Sequence, residues 1–276
     1  MQVSTPDDVV VTPRDLRFST QQARNSYWLG GDPVGTAVLN ALSLTFPDGE
    51  KMFMDAVRHF RGQLSGKLAE DVGHFLAQEA IHAREHRALN AIVDPAKYPV
   101  EEILAKVRER IAFNRSKGPY AILLSTIALE HFTAMMADMH MQNRGLFANA
   151  DPEIARLWRW HALEETEHKA VAYDVFLEAT RHWSAFKRYR LRCLSMAYIT
   201  FHFTRNIASH ASRLLEADGY SARDARKAVR RFLWSDPGLF RRGWRSYIAW
   251  YRPGCHPWDL DNRAELADWR AEFETS

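Results

Sequence analysis

Apolar residues in this chain return every three or four positions from about residue 34 onward, the spacing of helices that pack on one face. The stretch 120–142 is apolar on nearly every side, which places it at the centre of the molecule. Ile103, Leu104, Val107 and Ile111 mark a charged helix over 100–115, an extra crossover lying on the rest. Asp151-Pro152-Glu153 supplies an N-cap and a proline in the first helical turn for a helix reaching about Thr180. Ser65 is a similar cap for a helix over 65–92, where Phe75, Leu76, Ala80 and Ile81 are apolar. Phe46-Pro47-Asp48-Gly49-Glu50 reads as the start of a helix to about Gly62, after a short apolar connector at 34–45. Further helical patterns follow at 191–203, 221–234 and 237–251, and no strand-like alternation competes.

The predicted fold is therefore all-α, in three parts. An arm at 1–33 carries Trp28 and the turn Gly30-Gly31-Asp32-Pro33, a helical bundle spans 34–182, and a helical extension at 183–276 packs on it.

Composition narrows the picture modestly. With 276 residues the chain can bury a large core. Its net charge of +3 argues against a nucleic-acid partner. Two cysteines, Cys193 and Cys255, form neither a disulfide framework nor a CxxC site and suit a reducing cytoplasm. The first thirty residues lack a basic start and an apolar core, so no signal peptide is expected, and no run of 18 uninterrupted apolar residues suggests a membrane span. Arginines such as Arg188, Arg190, Arg230 and Arg241 interleave with Trp234, Trp244 and Trp250 near the C-terminus. That pattern is compatible with a peripheral membrane contact, and equally with amphipathic helices closing over the bundle. A homodimer is also compatible with the sequence.

The chemistry lies in a repeated motif. Gln78-Glu79-Ala80-Ile81-His82 and Glu164-Glu165-Thr166-Glu167-His168 each contain Glu-x-x-His. Residues three apart on a helix share a face, about 5–6 Å apart at Cβ, so each pair can grip one ion. A single such pair is common on solvated helices. Here, however, a lone glutamate precedes each motif, Glu50 before Glu79 and Glu130 before Glu165. The order Glu, Glu-x-x-His, Glu, Glu-x-x-His is the donor set by which a four-helix bundle holds two metal ions. Glu130 stands among Ile127, Ala128, Phe132 and Met135, where an unpaired carboxylate would be costly. The predicted ligands are Glu50, Glu79, His82, Glu130, Glu165 and His168, with Glu50 weakest because Pro47 puts it in a first turn.

Glu164 and Gln78, each preceding a motif glutamate, are candidate acceptors for the opposite histidine ring. His161 and His86, one turn from the motifs, are candidate further ligands or packing histidines. Leu123, Thr126, Ile127, Thr133, Ala134 and Ala137 share the Glu130 face, and the small ones could leave room for oxygen and substrate. A rival pattern, His82-Ala83-Arg84-Glu85-His86, matches the inverted zinc-peptidase signature with Glu85 as base. It leaves Glu130 and the second motif unemployed.

At these residues the chain resembles a bacterial family of predicted metal-dependent hydrolases, whose members are similar to ferritin-like di-iron carboxylate proteins. The matching segments are 46–50, Gln78 to His86, Glu130-His131, His161 to Lys169, and Tyr251-Arg252-Pro253-Gly254-Cys255-His256-Pro257-Trp258, within about 25–260. The resemblance implies a buried di-metal centre in a ferritin-like four-helix bundle and supplies no substrate. Carboxylate and imidazole donors without thiolate suit two iron ions, with manganese or a mixed iron–manganese pair as variants, and zinc less well. The expected activity is a non-haem di-iron oxygenase or oxidase acting with O2 on a small apolar organic substrate, supplied by an external electron donor. The alternatives are a metal-dependent hydrolase that activates a bound water and a non-catalytic metal-binding protein.

Overall fold

The computed structural model describes residues 5–23, 27–142 and 144–274. Met1 to Ser4, part of the stretch read for a signal peptide, and the arm residues Arg24 to Ser26 lie outside them. The described residues contain no strand, only an isolated bridge between Leu29 and Ala150. The helices are α1 (Pro33–Phe60), α2 (Gly66–Asn90), α3 (Val100–Arg115), α4 (Pro119–Gln142), α5 (Pro152–His168) and α6 (Val171–Ala179). They are followed by α7 (Ala185–Ala217), α8 (Ala222–Trp234), α9 (Leu239–Arg242), α10 (Trp244–Ala249) and α11 (Arg263–Glu274). The protein is all-α, as its periodicity implies.

Four helices enclose the centre. α1 packs against α2 and α4, and α5 closes the ring by packing against both α2 and α4. α3 lies across α1 and α4, α7 packs along α1 and α4, α8 rests on α7 and α1, and α11 on α5 and α4. By length and composition α4 could cross a membrane, yet 61% of its most apolar window is buried inside the molecule.

Pro47 is not a helix start. It lies inside α1, so the expected connector and the following helix are one continuous element capped by Asp32, whose Oδ1 accepts from the Val34 amide at 2.9 Å. An interior proline lacks the N–H that would bond the carbonyl four residues earlier. That carbonyl belongs to Ser43, and Asn90 Nδ2 on α2 donates to it instead at 3.0 Å. Glu50 is consequently well inside the helix and 2% exposed, which removes the reason to rank it weakest. The helix expected to run to Thr180 is broken at Lys169 and Ala170, where the buried Lys169 ammonium turns to Leu260 O and Asn262 Oδ1, both at 2.8 Å. Ser65 stands at the N-cap of α2 without a capping side-chain bond. The pattern at 237–251 is two short helices rather than one, parting at Gly243, where a Cβ would run into the Met135 side chain.

The apolar core has two parts. One gathers Leu42, Phe46, Leu89, Trp160 and Leu163, and the other Met52, Phe53, Phe75, Ala128 and Phe132. Glu50 and Glu79 with His82 fall where their own helix passes from one cluster to the other; α4 crosses a turn or two after Glu130, near Met135 to Ala137, and the chain crosses just after His168, between Ala170 and Val171. A polar layer is thereby sandwiched between two dry ones.

Candidate metal centre

Four helices deliver the six predicted residues into that layer: Glu50 from α1, Glu79 and His82 from α2, Glu130 from α4, Glu165 and His168 from α5. All six are at most 3% exposed. His168 Nε2 faces Glu79 Oε1 at 3.4 Å, Glu130 Oε2 at 3.5 Å and Glu165 Oε2 at 3.5 Å. His82 Nδ1 faces Glu165 Oε1 at 3.5 Å, and His161 Nε2 faces the same oxygen at 3.2 Å. Donor atoms of Glu50, Glu79 and His82 lie within 4.8 Å of one another, as do those of Glu79, Glu165 and His168, of His82, His161 and Glu165, and of Glu50, His86 and His161.

The hydrogen bonds outside this layer fix which ring nitrogen faces inward. Gln78 Nε2 donates to Thr12 O at 3.2 Å and to Glu167 Oε2 at 3.0 Å, so its Oε1 is left to accept from His168 Nδ1 at 2.9 Å. Glu164 Oε2 accepts from His82 Nε2 at 3.0 Å. Each residue preceding a motif glutamate thus holds the histidine of the other motif. A longer chain sets His161. Asn90 Oδ1 accepts from Ser43 Oγ at 2.6 Å, leaving that oxygen to accept from His86 Nδ1 at 2.8 Å. His86 Nε2 must then accept from His161 Nδ1 at 3.0 Å. With the rings neutral, three nitrogen lone pairs, from His82, His161 and His168, are turned toward carboxylate oxygens.

Acceptor facing acceptor in a dry interior is unfavourable without a cation between them. Both oxygens of Glu50, Glu79 and Glu130, Glu165 Oε2, His82 Nδ1, and Nε2 of His161 and His168 are buried with no hydrogen-bond partner. The orphaned atoms are the ones a metal would use, and a donor set of carboxylates and imidazoles without thiolate fits a hard or intermediate divalent ion.

Burial and mutual charge shift the acids and bases of this layer in different directions. Burial pushes Glu50 up to about 8, against the pull of His82. Glu79 rises well above the usual carboxylate range through burial and the charges of Glu130 and Glu165, and Glu130 through burial and Glu165. Glu165 falls well below that range, because His168 and His161 outweigh its burial. Burial opposes charge on His82, yet its bonds to Glu164 and Glu165 raise it to about 10. His161 is lowered to about 4, mainly by burial and the His82 charge, and His86 goes well below the ordinary value through burial and His161.

The rival peptidase pattern has no support in this geometry. Glu85 is occupied by Arg84 Nε at 2.6 Å, the Phe18 amide at 3.2 Å and Arg17 at 3.4 Å. Of the small residues on the Glu130 face, Thr133 and Ala137 line a cavity beside the cluster, whereas Ala134 lines a different pocket next to Lys169.

Sequence spacing missed the arm. Thr12 N donates to Glu167 Oε2 at 3.1 Å, and Arg14 donates from its amide to Glu164 Oε1 at 3.0 Å and from its guanidinium to Glu167 at 2.9 and 3.1 Å. Arg270 on α11 adds a bond to Glu167 at 2.7 Å. These partners lie more than a hundred positions apart, so no local signal marks them. Asn90 was findable, since it sits one turn beyond His86 on α2.

An all-helical protein with a buried carboxylate–histidine layer is the class that fold and site define. The chain belongs to the family described as predicted metal-dependent hydrolase, whose model matches residues 12–261. No curated protein and no solved structure matches it.

Proposed function

We propose that the protein is a di-metal enzyme, with iron as the metal, that uses O2 to oxidise an apolar organic substrate. Glu50, Glu79, His82, Glu130, Glu165 and His168 would hold the ions, with His161 as a seventh ligand. The observation that carries the metal in this reading is the set of orphaned, inward-facing carboxylate oxygens and imidazole nitrogens, a donor set without thiolate. Bound iron would supply O2 activation, with one oxygen atom entering a C–H bond and the other leaving as water after taking two electrons from an external donor and two protons from solvent.

The chain's own residues do the rest. Glu164 and Gln78 hold the His82 and His168 rings so that their free nitrogens face the layer. Ser43, His86 and His161 form a hydrogen-bonded line from Asn90 to Glu165 Oε1 along which a proton can be held at His161 Nδ1. Phe46 stacks on His161, ring centroids 5.1 Å apart, and helps exclude water from that side.

The family's description favours a second reading, hydrolysis with metal-activated water. Metal analysis combined with visible absorption, recorded after reduction and again after air exposure, separates the two. Two irons per chain with an O2-dependent spectral change support oxidation. A redox-silent metal together with ester or phosphate turnover moves the assignment to hydrolysis. A chain that takes up no metal after iron-supplemented expression rules out both.

A further inference from the structure

Two cavities reach the cluster from different sides. One, of about 80 Å³, is walled by Leu39, Leu42, Met139, Leu146 and Trp158 between α1, α4 and α5. The other, of about 110 Å³, lies between α1, α3, α4 and α7 against Phe53, Ile111, Leu129, Ile199 and Phe203. Phe46, Thr133, His161 and Glu165 line both, so the two meet at the Glu165 side of the cluster.

Their walls differ in chemistry. The smaller cavity carries a single cation away from the cluster, Arg242, which is exposed and turned to Pro237 O at 2.7 Å. The larger one carries polar side chains along its α3–α7 wall, Arg110 and Asn114 of α3 and His202, Asn206 and His210 of α7, with Arg110 beside His202. Arg110 bonds Tyr198 Oη at 3.0 Å, and among the described residues no carboxylate lies within ion-pair distance of its guanidinium. His210 is 2% exposed and its Nδ1 has no partner. The field there is positive: besides burial, Arg110 and Arg205 lower His202, and Lys106, opposed by Glu102, helps lower His210 to about 4. Glu102 itself is tied to Lys106 and Arg213.

We infer that the two cavities form one channel whose ligand is a single-chain amphiphile with an anionic head. The head sits at Arg110, His202 and Asn206, the chain passes Phe46 and Thr133 beside Glu165, and its apolar end occupies the pocket of Leu39, Leu42 and Met139. This assignment rests on the proposed function for its meaning as a substrate, but the binding itself does not require turnover. A guanidinium that lines a cavity and has no carboxylate partner among the described residues suits a carboxylate or phosphate oxygen through charge-assisted hydrogen bonds, and the apolar walls reward burial of methylenes. A polar head at one end and a dry pocket at the other also give the ligand one orientation, which presents the middle of its chain to the cluster.

The test is equilibrium binding by calorimetry to the metal-loaded full chain. The probes are straight-chain carboxylates from octanoate to palmitate, alkyl phosphates of matched length, and alkyltrimethylammonium ions as cationic controls. The expected result is that anionic heads bind more tightly than the cationic one by about tenfold or more, and that Arg110→Ala removes this preference. Carboxylate against phosphate then identifies the head. A second variant, Leu39→Trp, fills the far pocket and shortens the longest chain accepted while leaving octanoate binding in place. Equal affinity for both head charges, an unchanged preference in Arg110→Ala with native metal content, or no binding of any probe overturns the inference. Such failure with two irons and an O2-dependent spectrum intact leaves the proposed function standing, whereas a metal-free chain that still binds amphiphiles fails that function and keeps this inference.

Discussion

The two Glu-x-x-His halves of the site, on α2 and α5, share a spacing and differ in what supports them. On α2 the ring of His82 is held by a carboxylate, Glu164, and on α5 the ring of His168 is held by a neutral amide, Gln78. An anionic acceptor raises the basicity of the ring it holds more than a neutral one does, so His82 is the stronger donor of the pair. The α5 half compensates with position. Its Glu165 faces three histidines, His82, His161 and His168, and His161 has no counterpart at the equivalent place on α2. Under the proposed di-metal reading, the repeated motif would yield two inequivalent positions, one favoured by ligand basicity and the other by ligand number.

Removing the shared element should break the comparison outright. Glu165→Ala is expected to abolish metal uptake at both positions, a larger loss than the roughly 10–100-fold that outer partners cost, read by metal content per chain. One ion retained would show that the halves are independent. A pH titration of the metal-free chain comes next. Glu50, Glu79 and Glu130 bind protons more tightly folded than unfolded, so their protonation stabilises the fold fully below the ordinary glutamate value of 4.5. That contribution is lost as pH rises through the folded value, about 8 for Glu50. His86, His161 and His210, lowered by burial, stay uncharged when folded and act in the opposite sense up to the ordinary histidine value of 6.5. Urea midpoints of the metal-free chain should therefore fall from there to about 8, and metal should flatten the curve by displacing the protons. A metal-free midpoint that rises over this window would contradict the assigned protonation.

Exchanging the supports sharpens the difference between halves. Glu164→Gln should weaken metal binding by about tenfold through His82. Gln78→Glu should instead cost stability, because its new carboxylate would meet Glu167 Oε2 where an amide now donates at 3.0 Å. Equal losses of affinity and stability in the two variants would make the halves interchangeable. The smallest effect is expected from Arg14→Ala. It loosens Glu164 directly and Gln78 through Glu167, at about 1–3 kcal/mol by chemical denaturation, moderated by Arg270 and Thr12, which keep Glu167 paired.

How much of this could be read from the chain follows from range. Glu79 with His82 and Glu165 with His168 were legible because helical spacing alone puts them together, and Glu130 because a charge stood in an apolar helix. Gln78 and Glu164 were placed beside the opposite histidines from their positions before the motif glutamates. Glu50 was placed in a first turn because Pro47, Asp48 and Gly49 are local helix-start signals, and only a side chain on another helix, Asn90, overrides them. The arm's grip on Glu164 and Glu167 is purely long-range. The inward lone pair of His161 depends on a sequence of donors running through four side chains, which no spacing encodes.

That sequence of donors begins at a group the protein does not have. Because Pro47 has no amide proton, the Ser43 carbonyl is free to claim the Asn90 amide nitrogen, which turns the Asn90 oxygen to the Ser43 hydroxyl. Every later donor in the line, at His86 and at His161, then has its direction chosen for it. A backbone defect on α1 acts in this way as a polariser. One missing hydrogen orders several others and leaves an unshared electron pair on His161, three side chains further along, turned into the heart of the molecule.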